Sequence, residues 1–462
     1  MKLTKYLVKF EKNNSLLLLN SATVSPILIE KGKKYILDLL KNVNQIKDKK
    51  LLDFLSYHKI IVEDDDREDY RIKTVNAGCV NKRSGVSFYL LLSQGCNLGC
   101  VYCYNGEKTY GVSKKLMMKE EVAYKGIDKI ARSLASGKEL TIVFLGGEPL
   151  LNWGLAKKVI IYCEQKIKKE FPKLEIKYHL TSNLSLLPSD LIEWAKKYHI
   201  TFLCDIDGDR KIHNLTRPYK NGNGSYDKIT ANIKKLIKAG IKIALRSTVT
   251  SYNMNSIKKI SKHHKDIGAS NSAFVAVNAI TSDEDILPKS FLPDPDVVSN
   301  GLRELAESNI WDKKNIFPLN EYLERIRRRE RNMWCCGAPL GNTPVLDVNG
   351  DIYACLYLVG MKKYRLGNIF SEAEYPKKEV VAMMMDVINI DNSEECKNCK
   401  LRYLCGGGCP VGRLIIKGNP KADEEIIKYT KDITCKVNKA MIEEALWHYA
   451  KKIKEKPCSI KR

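Results

Sequence analysis

No uninterrupted apolar run in the chain approaches the ~20 residues needed to span a bilayer. Residues 1–14 hold no apolar segment followed by small residues, so no secretory signal is read and a cytoplasmic protein is expected. Internal repeats and low-complexity tracts are missing, which argues against a solenoid or linker-like chain. Cysteine is scarce through the middle, with only Cys163 and Cys204 between 104 and 334. The densest basic run, Arg325 to Arg331, has no interleaved aromatics on which bases could stack, which argues against a nucleic-acid partner.

What is present begins with 462 residues, 44% hydrophobic and 29% charged, the composition of a globular protein. At roughly 100–200 residues per domain this allows two to four domains. The formal charge of +24 comes mostly from lysine spread along the chain, as solvated helix faces would place it. A pI near 9.3 leaves nucleic acid or an acidic peptide open as partners. The 15 cysteines are the sharper signal. In a reducing compartment they point to metal or catalysis before disulfides, and they cluster as ligands do.

Three stretches differ in pattern. Residues 1–75 read as a small module: strands near 6–10, 16–19 and 27–29, helices near 33–41 and 50–57, and a closing strand at 60–62 before an acidic linker at 63–69. Residues 76–330 change to strand–helix repetition. Strands are expected at 87–92, 140–145, 175–181, 200–206, 241–250 and 272–277, with helices at 119–136, 154–170, 188–198, 226–239 and 255–267. Six such units imply a parallel sheet, either doubly wound or a partial barrel, with chemistry at the C-terminal strand ends. Residues 331–462 are loop-rich. Asn349-Gly350 between alternating apolar residues predicts a two-residue hairpin turn. Little apolar core is expected there, so inorganic cross-links would hold it. A last helix is expected near 436–454.

Cys96, Cys100 and Cys103 lie as CxxxCxxC on a loop after the first strand of the repetition. Three thiolates at this spacing can wrap one face of an iron–sulfur cube and leave its fourth iron open, although zinc with a distant fourth ligand has the same donors. The C-terminal set is Cys336, thirteen residues, Gly350, four residues, Cys355, then Cys396-x2-Cys399-x5-Cys405-x3-Cys409 and Cys435. By spacing alone this suits auxiliary clusters or a zinc ribbon. Cys79, Cys163, Cys204 and Cys458 stand singly and read as inert thiols.

With Tyr102 before the third cysteine, the first group resembles the signature of the radical SAM enzymes. Gly146-Gly147-Glu148-Pro149 is similar to that family's GGE motif, whose backbone and carboxylate hold the methionine amino group. Thr181-Ser182-Asn183 resembles its polar contact to S-adenosylmethionine, and Arg246 an arginine for the methionine carboxylate. The stretch Asp205-Ile-Asp207-Gly208, His213, Arg217-Pro218 and Gly222 to Tyr226 resembles a motif of radical SAM peptide maturases, with Asp205 where serine usually stands. The C-terminal cysteines resemble a SPASM domain. That resemblance implies Cys396, Cys399, Cys405 and Cys435 on a distal 4Fe–4S cluster and Cys336, Cys355 and Cys409 on a proximal one. Cys335 stands as a further candidate ligand.

The resemblance therefore implies a partial (β/α)6 TIM-like barrel with an N-terminal winged-helix-like module and a C-terminal cysteine-rich iron–sulfur domain. It implies three 4Fe–4S clusters and S-adenosylmethionine, cleaved reductively to a 5′-deoxyadenosyl radical with electrons from a donor such as flavodoxin or ferredoxin. Residues 1–75 would bind the leader of a ribosomally made precursor peptide by strand addition. An open iron on the proximal cluster would favour a cysteine sulfur-to-carbon thioether. Sulfatase-maturase-like oxidation of a cysteine or serine, and carbon–carbon crosslinking, are the enzyme alternatives. A zinc-stabilised nucleic-acid or scaffold protein is the non-enzyme one. No acidic residue stands out as a catalytic base.

Overall fold

Four consecutive leucines, Leu16–Leu19, are completely buried, which a strand achieves only when both faces of its sheet are covered. A computed structural model of the chain shows what covers them. It describes residues 1–30, 33–63, 85–104, 116–134, 139–281, 285–332, 337–338, 341–371, 375–416 and 419–454. Strands β1 (Lys2–Leu3), β2 (Leu7–Lys12), β3 (Ser15–Asn20), β4 (Ser25–Ile29) and β5 (Ile61–Val62) form the N-terminal part. β2–β3–β4 is an antiparallel sheet and β1 pairs with β5. Leu16 and Leu18 face the helices Lys33–Leu39 and Lys49–Tyr57, in one cluster with Ile36, Leu40 and Leu55. Leu17 and Leu19 join the body of the protein, clustering with Leu302, Met441 and Ala445. The linker expected at 63–69 lies almost wholly outside the described residues.

The repetition forms six parallel strands: β6 (Gly85–Ser93), β7 (Glu139–Gly146), β8 (Glu175–Thr181), β9 (Thr201–Asp205), β10 (Ile243–Val249) and β11 (Asn271–Ala276). They lie side by side in chain order, as right-handed βα units build a partial barrel. Helices Glu120–Ser133, Trp153–Tyr162, Leu191–Lys197, Tyr226–Lys238 and Ile257–Ile267 cross between them. The apolar stripes of the first four share a core with Phe88, Ile142, Phe144, Phe202 and Leu245, while Ile257 and Ile260 of the fifth cluster with Phe274 and Leu302. The helix after β7 continues to Glu170 through one π-helical turn at Cys163–Ile167.

The sheet is wider than the repetition. β12 (Ile316–Phe317) adds to β11, while β13 (Val345–Leu346), β14 (Asp351–Tyr353) and β15 (Arg365–Asn368) continue it beyond β6, giving ten strands. β13 runs parallel to β6, with Val345 opposite Tyr89. This stitches the cysteine-rich part onto the strand that leads into the first cysteine loop.

Three expectations are corrected. The hairpin turn spans three residues, Val348–Asn349–Gly350: Asp347 and Asp351 pair, and Gly350 takes the left-handed conformation (φ 87°). The Asp347 carboxylate accepts from the Asn349 and Asp351 amides, which favours the longer loop. The C-terminal part has an apolar core of its own, including Leu358, Met361, Leu366, Val380, Met384 and Leu414. Its last helix begins earlier, spanning Glu424–Lys454, and helices Pro295–Glu307 and Leu319–Arg328 pack on it.

The two-faced burial predicts that Leu17→Ala costs about 2–5 kcal/mol in urea unfolding of the full chain. Lys12, whose ammonium meets the exposed Glu307 (2.5 Å) and the buried Glu444 (3.3 Å), should cost about 1–3 kcal/mol on change to Ala. The buried carboxylate then keeps Arg303 (3.5 Å) but loses its closer cation.

Candidate active site

The C-terminal ends of β6 to β10 meet at one mouth, and glycine permits the closest approach there. Gly147 N–H donates to Ser93 O (2.7 Å) and Glu148 N–H to Gly95 O (2.8 Å). A Cβ on Gly146 would lie 2.3 Å from Ser93 O, and one on Gly147 2.4 Å from Gly95 O. The GG pair thus lays β7's exit against the backbone leading into Cys96. The following Glu148 is completely buried. Its carboxylate accepts from Leu150 N–H (2.9 Å), the Ser182 hydroxyl (2.8 Å) and Asn183 N–H (2.9 Å). Burial raises its pKa to about 7 against these donors. Pro149 starts a short 3-10 turn and is itself buried.

Asn183 reaches the cysteine loop. Its Nδ2 donates to Asn97 Oδ1 (3.0 Å) and lies 3.6 Å from Cys96 Sγ. Asn97, which the sequence reading passed over, donates in turn to Ser185 (2.7 Å). Its signal was a polar side chain inside the CxxxCxxC loop. The loop's backbone is fastened on its other side, with Gly99 N–H to Pro218 O (2.8 Å) and Val101 N–H to Thr216 O (3.0 Å).

The strongest brace is Asp207, completely buried after β9. One carboxylate oxygen accepts from Arg217 Nε (2.9 Å), Thr216 Oγ1 (2.9 Å) and the Tyr102 hydroxyl, and the other from Thr248 N–H (2.9 Å). The Arg217 guanidinium also lies over the Tyr102 ring, reaches Thr248 Oγ1 (3.2 Å) and approaches Cys100 Sγ (4.0 Å). His213 is buried behind it and meets Ser225, whose hydroxyl donates to Arg217 O (2.6 Å). The D…H…R…GxGS residues are thus one internal network.

Asp205 and Arg246 face each other across β9 and β10 in a two-point pair (2.7 and 3.1 Å), with Arg217 3.4 Å from the same carboxylate. Burial would raise the Asp205 pKa, but the guanidinium groups of Arg217 and Arg246 outweigh it and hold the carboxyl at about 2. Tyr102, Glu148, Ser182 and Asp205 therefore spend their polar atoms on one another's strands.

Cys96 and Cys100 are half-buried and Cys103 exposed. Burial pushes the Cys96 thiol to about 11 and Cys100 to about 12, so a ligand that takes them as thiolates must displace their protons. Cys163 and Cys204 are buried in the barrel core. Cys335, Cys336, Cys79 and Cys458 lie outside the described residues. Two residues beyond β14, Cys355 comes near the mouth: the phenol of Tyr89 feels both Cys355 and Arg246. Tyr357 feels Cys409, Arg246 and Cys355, and its ring packs against Tyr104 with centroids 4.6 Å apart.

Cys396, Cys399, Cys405 and Cys435 form a separate group, in which Cys435 feels Cys396 and Cys399, and Cys405 feels Cys435 and Cys396. Gly408 and Gly412 allow the last helix so close: a Cβ on either would lie 1.9 Å from Thr434 or 2.3 Å from Thr430. Among the described residues no three His, Cys, Asp or Glu side chains gather as around a single metal ion. All-sulfur sets with N–H donors to sulfur match the chemistry of iron–sulfur ligation.

Residues 90–264, from within β6 through the fifth crossover helix, match the family model described as Radical SAM superfamily. Residues 90–264 therefore carry a radical SAM domain, and with it a chemistry that works with S-adenosylmethionine and a 4Fe–4S cluster. The zinc-stabilised non-enzyme reading is thereby set aside. An uncharacterized protein of Methanocaldococcus jannaschii is 27% identical over 282 residues, 61% of this chain and 87% of that one. The serine-type anaerobic sulfatase-maturating enzyme of Bacteroides thetaiotaomicron is 24% identical over 347 residues, 69% and 80% of the two chains. The radical SAM cyclopropyl synthase TigE of Paramaledivibacter caminithermalis is 24% identical over 369 residues, 74% and 71%. Among solved structures, native anSMEcpe with bound AdoMet superposes with a TM-score of 0.63 at 22% identity, covering 79% of this chain and 99% of that one. Streptococcus suis SuiB bound to precursor peptide SuiA gives 0.52 at 15% identity, covering 92% and 99%.

Removing the charge that faces Arg217 tests the brace. Asp207→Asn should destabilise the chain by about 3–5 kcal/mol in denaturant unfolding, and Tyr102→Phe by about 1 kcal/mol. Equal small losses would show that the network is not a buried ion pair of consequence.

Proposed function

We propose that the enzyme matures a ribosomally made, cysteine-containing precursor peptide, joining a cysteine sulfur to a carbon of another residue. The observation that carries this reading is the contact of Tyr357, two residues beyond Cys355, with Tyr104, which follows Cys103 (ring centroids 4.6 Å apart). A substrate held at the barrel mouth lies between the Cys96/Cys100/Cys103 loop and a second set of thiols, where its own sulfur could meet metal. In this reading Cys96, Cys100 and Cys103 hold the SAM-cleaving cluster. Cys396, Cys399, Cys405 and Cys435 hold a distal one, and Cys336, Cys355 and Cys409, with Cys335 as a candidate, a proximal one. The donors fit, being thiols in three groups with little competing oxygen. When bound, S-adenosylmethionine and the reduced cluster supply abstraction of a substrate hydrogen atom.

The chain's own residues do the rest. Gly146 and Gly147 keep the β7 exit against the cysteine loop, Ser182 and Asn183 line its inner side, and Arg246 presents a guanidinium edge for a carboxylate. Asp205 already occupies that edge, so cofactor binding would have to share or open the pair. Tyr89, Tyr104 and Tyr357 shape the mouth and exclude water. A donor of the flavodoxin or ferredoxin kind would supply the electron.

The β2–β3–β4 sheet, covered on both faces, offers only its edges, and an extended leader peptide could add there as a strand. A second reading, oxidation of a cysteine or serine side chain on a protein, is favoured by the sulfatase-maturating relatives.

The full chain, reconstituted anaerobically with reductant, S-adenosylmethionine and a candidate precursor, should yield a peptide lighter by about two hydrogens per link and resistant to thiol alkylation. An aldehyde trapped by a hydrazide would favour the second reading. Cleavage of S-adenosylmethionine with an unchanged peptide would contradict both.

A further inference from the structure

A cavity beside the last helix is lined by Cys396, Cys409, Cys435, Arg413 and Lys431, with Glu395 at its side. Arg413 projects into it from the short helix Val411–Ile416. Its Nη1 lies 3.9 Å from Cys396 Sγ, while Nε and Nη2 are buried without a hydrogen-bond partner. Glu395, which lines the same cavity, accepts from the Ser393 hydroxyl (2.8 Å). Buried guanidinium N–H groups are costly to leave unpaired, because they forgo water and gain nothing in return.

The backbone is shaped to hold the guanidinium there. Gly406, Gly407 and Gly408 are successive left-handed residues (φ 73°, 81° and 70°), and a Cβ on Gly407 would sit 3.0 Å from Arg413 Nη2. Two other donors already point at sulfur in this group: Asn438 Nδ2 lies 3.4 Å from Cys405 Sγ, and the Gly407 amide hydrogen-bonds the same thiol. Arg413 completes the pattern with a charged donor beside Cys396, while Lys431 lines the same cavity and, with Lys439, acts by its charge on Cys435.

Resting on the assignment of a distal cluster to Cys396, Cys399, Cys405 and Cys435, we propose that Arg413 is its positioning residue. Its unpaired N–H groups serve the cluster's sulfurs, and its charge favours the reduced, more negative form, so the cluster's reduction potential is raised.

The test is an EPR-monitored redox titration of the reconstituted full chain beside iron analysis. Arg413→Met should keep the wild-type iron content but shift one auxiliary signal to more negative potential. Its reduced-to-oxidised ratio at fixed potential should fall about tenfold, equivalent to about 59 mV for one electron. Arg413→Lys, which keeps the charge without the fork, should shift less and serves as the test if the Met variant loses iron. Unchanged midpoints at unchanged iron would overturn the role of Arg413. Cys435→Ala should lower the iron content and remove the signal that Arg413→Met shifts. A wild-type chain with only about four irons would instead overturn the cluster assignment beneath it, so the two failures are told apart by the iron count.

Discussion

The site depends on one buried interaction, the pairing of Asp207 with Arg217. A carboxylate without solvent is tolerable only when paired and hydrogen-bonded, and Asp207 achieves this by drawing donors from three places in the chain. Tyr102 belongs to the cysteine loop, Thr216 and Arg217 to the end of the short helix Arg210–Thr216 after β9, and Thr248 to β10. Satisfying one carboxylate therefore fixes where the cysteine loop sits over the barrel. The same guanidinium covers Tyr102 and approaches Cys100, so its position bears directly on one of the three thiols.

The neighbouring polar residues follow the same logic. Glu148 ties the ends of β7 and β8 together, and Asp205 ties β9 to β10 through Arg246. Residues whose types suggest contacts to a cofactor are here also the fastenings of the barrel mouth. Asp205, where the resemblance expects serine, adds a carboxylate that Arg217 and Arg246 share, an ion pair that a serine hydroxyl could not form.

Much of this was legible in the sequence because local pattern sets it. The strand exits carrying Cys96, Gly146, Ser182, Asp205 and Arg246 fell where alternation and helix period put them, within a residue or two. Periodicity could not choose between open sheet and barrel, since buried parallel strands read alike in either. The hairpin erred by one residue because the Asp347 side chain, not the Asn-Gly pair, decides the loop. Other features are non-local: β13 beside β6, which brings Cys355 to the mouth, joins residues far apart in sequence, and nothing near Cys355 announces it. Nothing in the sequence around Arg413 sets it apart, and only its buried, unpartnered nitrogens distinguish it.

The central claim is that the cysteine loop, fastened by Asp207 and Arg217, belongs to a working S-adenosylmethionine-cleaving site. The most direct measurement is 5′-deoxyadenosine release by the anaerobically reconstituted full chain with a strong reductant. Release by the wild type, lost in Cys100→Ala and strongly reduced in Arg217→Met with iron still bound, is the predicted result. A wild-type chain that holds its iron and cleaves no S-adenosylmethionine would contradict the account.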